Sequence, residues 1–223
     1  MHLISSIMKI KEFIGGFDKN FCYVLWCENT MLGAVIDPSV EPGQVFEFLD
    51  EKGIILDKIL ITHTHHDHIK FLDDFLIKFS LVNIYGHCES LHQFDNFRYK
   101  GLSHLENINI GKSMITTLHT PGHYADSICL WGVKDEFVFT GDTMFVGRTG
   151  RVKSISSNII HLYDSIYNII LKLPASTIIF PGHHYGHTKS ISIKDNIVLS
   201  DFFRCNNFKE FSKVMDKFEK RKN

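Results

Sequence analysis

Apolar and polar positions along the chain follow two rhythms. Short runs dense in β-branched and aromatic residues, at 21–27, 34–36, 58–62, 82–85, 114–118, 128–131, 137–140 and 177–180, predict strands. Between several of them the spacing lengthens to three and four. Pro42 opens a helix through Val45, Phe46 and Leu49 that Gly53 stops, and Phe71, Leu72, Phe75, Leu76 and Phe79 mark one apolar face. The clearest helix covers 158–173. Its stripe is Ile159, Leu162, Ile166, Ile169, Ile170 and Leu173; Ser156 or Ser157 can cap it, and Pro174 ends it. A last amphipathic helix over 207–220 sets Phe208, Phe211, Val214, Met215 and Phe218 against a charged face. Residues 89–111 are aromatic and polar without a period, and are expected to form loop or short helix. Strands in groups with interspersed helices imply an α/β fold of sheets covered by helices; two packed sheets and one larger sheet fit that pattern equally.

At 223 residues, 44% of them hydrophobic, the chain can bury a substantial core, and a single domain over 1–223 is expected, with a short helical extension from about 190 to 223. The 24 basic and 25 acidic side chains nearly cancel and neither sign forms a block, which argues against a nucleic-acid partner. Five cysteines with no C-x-x-C pair read as free thiols in a reducing compartment. The first fourteen residues lack the pattern of a secretory leader, and no apolar run reaches the length of a membrane span. A cytoplasmic protein with no membrane partner is expected. No pattern specifies an oligomeric state.

Histidine changes the picture, because most of its 14 copies gather in three places. The densest is Thr62-His63-Thr64-His65-His66-Asp67-His68, directly after an apolar strand. Imidazole nitrogen and carboxylate oxygen bind borderline divalent ions such as zinc, and an irregular loop can turn alternate side chains onto one point. Three later stretches share one grammar of strand, glycine turn and ligand. They end in Pro121-Gly122-His123, Gly141-Asp142 and Pro181-Gly182-His183. His66, His119 and His184 stand beside these positions but off the pattern, and read as supporting or solvent residues. Asp37, before Pro38, reads equally as a turn residue or as a support for the histidine loop.

With H-x-H-x-D-H followed by a lone His, a lone Asp and a last His, the chain resembles the metallo-β-lactamase superfamily over about residues 20–185. The resemblance implies a four-layer αββα sandwich with metals at one edge of the two sheets. It further implies that His63, His65 and His123 form one site, that Asp67, His68 and His183 form the other, and that Asp142 bridges them. Two divalent ions are then expected, zinc first, with iron or manganese also compatible. Such a pair can hold a bridging hydroxide as nucleophile, with Asp67 as the catalytic residue that orients it and shuttles a proton.

The stretch Val146-Gly147-Arg148-Thr149-Gly150-Arg151 resembles both the glyoxalase II and the persulfide dioxygenase branches, which keep a basic residue at the place of Arg151 for a glutathione carboxylate. Tyr185 sits where both keep a tyrosine near the thiol. Without a ligand in mind, Arg151 reads as a solvated cation and Tyr185 as a packed aromatic. The leading expectation is a metallo-hydrolase of a small ester or thioester, of the hydroxyacylglutathione hydrolase kind, whose partner is a small-molecule glutathione conjugate. A one-iron glutathione-persulfide dioxygenase, a lactonase-type hydrolase and a non-catalytic metal-binding module are the competing readings.

Overall fold

The computed structural model describes residues 8–94 and 98–220. The first seven residues, which belong to the stretch read above for a leader, lie outside it, as do 95–97 and 221–223.

The chain first lays down a six-stranded sheet. Strands β1 (Met8–Gly15), β2 (Asn20–Cys27) and β3 (Leu32–Ile36) run antiparallel, after which β4 (Ile55–Leu60), β5 (Asn83–His87) and β6 (Tyr99–Leu102) add in parallel. Helices α1 (Pro42–Lys52) and α2 (Leu72–Lys78) are the crossovers. Helix α1 begins at Pro42 and stops at a left-handed Gly53, as the sequence predicts. A second six-stranded sheet follows, with β7 (Asn107–Ile110), β8 (Ser113–His119), β9 (Ile128–Gly132), β10 (Phe137–Gly141), β13 (Ile178–Pro181) and β14 (Ile191–Ser192). A small hairpin, β11 (Met144–Phe145) and β12 (Arg148–Thr149), leaves it between β10 and α3 (Ile159–Asp164). Helices α4 (Ile193–Leu199) and α5 (Phe208–Glu219) close the order.

Alternation along β2 explains the layers. Phe21, Tyr23 and Leu25 point between the sheets, where they meet Ile115, Leu130 and Phe139, while Cys22 and Val24 point to the opposite face and join Val45, Leu49 and Phe75 under α1 and α2. The outer face of the second sheet is covered the same way: Val138 and Ile179 pack on Leu162, Ile166, Phe211 and Met215. The result is the αββα sandwich.

Three local readings are revised. Residues 89–111 hold β6 and β7, not loop alone, and β1 adds an edge strand that was not anticipated. Asn158, rather than Ser156 or Ser157, caps the long helix, accepting from Ile160 N at 2.9 Å and His161 N at 3.1 Å. After Asp164 that helix widens into a π turn (Ser165–Ile169) and tightens into a 3-10 turn (Ile170–Lys172). Over 190–220, β14 extends the second sheet, and α4 and α5 add Ile193, Phe211 and Met215 to its outer core. Among the described residues no helix is long and apolar enough to cross a membrane.

Candidate metal centre

All seven predicted ligands meet at one edge shared by the sheets. His63, His65, Asp67 and His68 lie on the loop after β4, and the others follow β8, β10 and β13. A backbone bond from Phe21 N to Gly182 O joins the two sheet edges, and within the second sheet Gly182 N donates to Gly141 O, both 2.8 Å. The His123 turn is pinned differently. Gly122 sits at φ 141° with its Cα against Leu162, so close that a Cβ would lie 2.3 Å from the Leu162 Cα. Asn158 N donates to Gly122 O, and Ser157 Oγ to His123 O.

The side chains form two overlapping groups. In one, His65 Nδ1 lies 3.0 Å from both His63 Nε2 and His123 Nε2. In the other, His183 Nε2 lies 3.2 Å from His68 Nε2 and 3.3 Å from Asp67 Oδ2. Asp142 spans them: Oδ1 is 3.2 Å from His68 Nε2, and Oδ2 is 3.4 Å from His183 Nε2 and 3.5 Å from His123 Nε2. Ligands about 2.1 Å from one tetrahedral ion lie about 3.4 Å apart, so these spacings suit ions.

Outer contacts set which nitrogen faces inward. His183 Nδ1 donates to Asp18 O at 2.9 Å and His123 Nδ1 to Arg151 O at 2.8 Å, because a carbonyl only accepts. His68 Nδ1 lies 2.8 Å from Asp37 Oδ2. Thr62 Oγ1 donates to that same carboxylate at 2.7 Å and so is left to accept from His63 Nδ1 at 3.2 Å. His63 Nε2 and His123 Nε2 therefore both present lone pairs to His65 Nδ1, which has at most one proton for the two. Asp142 Oδ1 is buried and receives no hydrogen bond. A divalent cation satisfies both needs, and the donor set fits one.

Charge in the cluster is divided along the same lines. Burial, reinforced by His68, holds His63 well below the usual imidazole range, and burial with His123 brings His65 down to about 4. For His68, burial is outweighed by the Asp142 and Asp37 carboxylates, which push it well above the usual imidazole range; for His183, burial is outweighed chiefly by Asp142, which raises it to about 10. Burial would raise Asp142, but His183 and His68 hold it well below the carboxylate range.

Sequence reading missed three supports. Asn20 donates from Nδ2 to Asp67 Oδ2 at 2.8 Å. Asp126 is buried and accepts from Thr64 and Ser90, fixing the histidine loop from below. Asp18 accepts the Tyr185 hydroxyl. Each is a small polar residue near a strand end, the same signal that a turn gives. His66 is exposed, and His184 meets Phe21 edge-on at 5.6 Å. His119 lies apart from the cluster, with its ring on His87 at 3.8 Å and 15° between planes. His87, Glu89 and His119 are also near one another, but an ion between such parallel rings would lie well out of both planes, where neither ring has a lone pair.

Beside the cluster opens a cavity of about 460 Å³ whose lining includes His123, Asp142, Phe145, Arg148, Arg151 and Tyr185. Both predicted substrate residues are there. Tyr185 stacks on His183 at 4.8 Å, and Arg151 pairs with Glu219 at 3.5 Å.

An αββα sandwich with this His/Asp cluster at the sheet edge defines a metal-dependent hydrolase scaffold. The chain belongs to the Metallo-beta-lactamase superfamily, which it matches over residues 15–191. It is 30% identical to "Probable polyketide biosynthesis zinc-dependent hydrolase PksB" of Bacillus subtilis, across 100% of this chain and 96% of that one. It is 35% identical to a "Probable hydroxyacylglutathione hydrolase" of Schizosaccharomyces pombe, across 83% of this chain and 70% of that one. The solved structure of ETHE1 from Myxococcus xanthus superposes with a TM-score of 0.85 at 24% identity, over 96% of this chain and 92% of that one, a likeness of fold.

Proposed function

We propose that this metallo-hydrolase cleaves a small-molecule thioester, as hydroxyacylglutathione hydrolases do, with two divalent ions, preferably zinc, held by His63, His65 and His123, by Asp67, His68 and His183, and by Asp142 between them. The observation that carries the reading is the position of Asp142, within 3.5 Å of nitrogens in both groups and on the wall of a cavity that two arginines enter. Relatives named as zinc-dependent and hydroxyacylglutathione hydrolases support it.

Ions bound there supply Lewis acidity, which polarises a carbonyl and makes water a nucleophile near neutral pH. The chain's own groups do the rest. Asn20 fixes Asp67 by its Oδ2, and this carboxylate orients the attacking water and accepts its proton. Asp37 and the Asp18 carbonyl hold the His68 and His183 rings in place before substrate arrives, so little reorganisation is needed. Tyr185 lines the side where the thiol half would lie, on a wall that Arg151 helps to form. A thiolate needs little protonation to leave. All five cysteines are free, which supports a cytoplasmic setting.

Metal analysis of purified protein, paired with assays of S-D-lactoylglutathione hydrolysis and of oxygen uptake with glutathione persulfide, tests the reading. Two equivalents of metal with thioester cleavage are expected. Oxygen uptake without cleavage, in protein holding one iron, would overturn it.

A further inference from the structure

The cavity wall formed by the small hairpin is built with unusual support. Asn196, 1% exposed, accepts from Gly147 N at 2.8 Å and donates to Phe145 O at 2.9 Å, while Ser200 Oγ donates to Gly147 O at 2.8 Å. The turn between β11 and β12 is thereby clamped by α4 and the residue after it. From α5, Glu219 accepts from Val152 N at 2.9 Å, and Met215 Sδ meets Thr149 Oγ1 at 3.3 Å. A turn held at so many points presents its side chains in a fixed place.

Two arginines enter the cavity from this segment, in unlike states. Arg151 faces Glu219 at 3.5 Å with its guanidinium 4.4 Å from the Phe218 ring, and Lys153 reaches the same Glu219 oxygen at 3.4 Å. Arg148 is surrounded by ring faces: its guanidinium carbon lies 3.7 Å from the Tyr185 centroid, 5.4 Å from Phe218 and 5.6 Å from Phe145. Among the described residues no carboxylate comes within ion-pair distance of it, and its Nε is buried without a hydrogen bond. The acids nearby are otherwise engaged, Asp18 by the Tyr185 hydroxyl and Asp142 by the histidines. A half-buried guanidinium on aromatic faces, with no carboxylate beside it, keeps N–H groups for a planar or tetrahedral anion.

We infer that Arg148 recognises an anionic group on the thiol half of the substrate, while Arg151 is held by Glu219 as a buttress to that wall. The site would take a carboxylate of a peptide thiol such as glutathione or the phosphate of a phosphopantetheine. Both are anionic thiol carriers. The substrate class rests on the thioester reading; the anion site does not.

Calorimetric binding to the metal-loaded protein separates the two. The probes are S-methylglutathione against its diethyl ester, and 4′-phosphopantetheine against pantetheine. Wild type is expected to bind the member of at least one pair that carries the anionic group about tenfold or more tightly than the partner that lacks it, and the pair discriminated identifies the source. Arg148→Ala should lose that preference while affinity for the probe that lacks the anionic group, metal content and melting temperature hold; Arg148→Gln, closer in size, serves if the alanine variant folds poorly. Arg151→Ala should keep the preference. Equal binding of both members by wild type, a preference that survives in Arg148→Ala or Arg148→Gln, or one abolished by Arg151→Ala instead would each overturn the inference. A preference without any thioester cleavage would sink the substrate reading and leave the anion site standing.

Discussion

Four imidazoles at the sheet edge, His63, His68, His123 and His183, are aimed by what the far nitrogen touches, and Asp37 is the clearest case. One carboxylate accepts from Thr62 N at 2.8 Å, from Thr62 Oγ1 at 2.7 Å and from His68 Nδ1, so it ties the start of the histidine loop to a ligand of the second group. Asp37→Ala would strand buried donors, at about 1–3 kcal/mol for each unsatisfied group, and loosen the His68 ring. Metal affinity is expected to fall about 10–100-fold, measured by competition with a chromophoric chelator; an unchanged affinity would reduce Asp37 to the turn residue that its place before Pro38 also allows. Asp142→Ala should be more severe, with metal and activity lost together, because among the described residues no other carboxylate reaches nitrogens of both groups. Full turnover in that variant would end the bridging role. The clustering of the seven candidate ligands was legible because four of them stand within six residues and three follow glycine turns. Asn20 and Asp126 were not, since a buried acceptor becomes distinct from a turn residue only when distant segments supply its donors.

At the scale of elements, the ligands sit just beyond strand ends, where a rigid core fixes position and an irregular backbone frees direction. The Gly182 turn shows how little room is left. A Cβ there would stand 2.4 Å from Asp142 Oδ1 and 2.7 Å from His68 Cε1, between one ligand from β10 and another from the loop after β4. Gly182→Ala is therefore expected to fold, because the clash is with side-chain ends, but to bind metal at least about tenfold more weakly; circular dichroism with metal titration checks both halves, and normal metal binding would refute the tight fit. Central strands were readable from their apolar runs, since β2 is buried on both faces. The edge strand β1 was not, for its Lys9, Lys11 and Glu12 dilute the signal, which is also how an edge resists pairing with another chain. Strand β7 alternates cleanly, Ile108 and Ile110 inward, but four residues in an aromatic and polar stretch carry too little pattern to stand out.

For the whole molecule, the amphipathic stripe of α5 was plain in the sequence, whereas what it packs against was not, because a stripe states how much must be buried and not where. The structure gives it two tasks. Phe211 and Met215 are fully buried against Leu162 and Ile166 in the outer core of the second sheet, and Phe218 with Glu219 supports the hairpin wall and its arginines. These tasks predict separable failures. Phe211→Ala should cost about 3–5 kcal/mol of stability, as for a large aromatic removed from a close-packed core, read from denaturant unfolding. Because the candidate ligands follow the ends of β4, β8, β10 and β13, while Phe211 packs in the outer core of the second sheet, the folded variant should retain its metal. Phe218→Ala should instead raise the KM of thioester turnover with kcat little changed, since Phe218 backs the wall proposed to receive the thiol half while the hydrolytic groups remain in place. If metal content fell in step with stability, the outer core and the metal centre would have to be one cooperative unit, and the division of labour between sheet edge and C-terminal helix would fail.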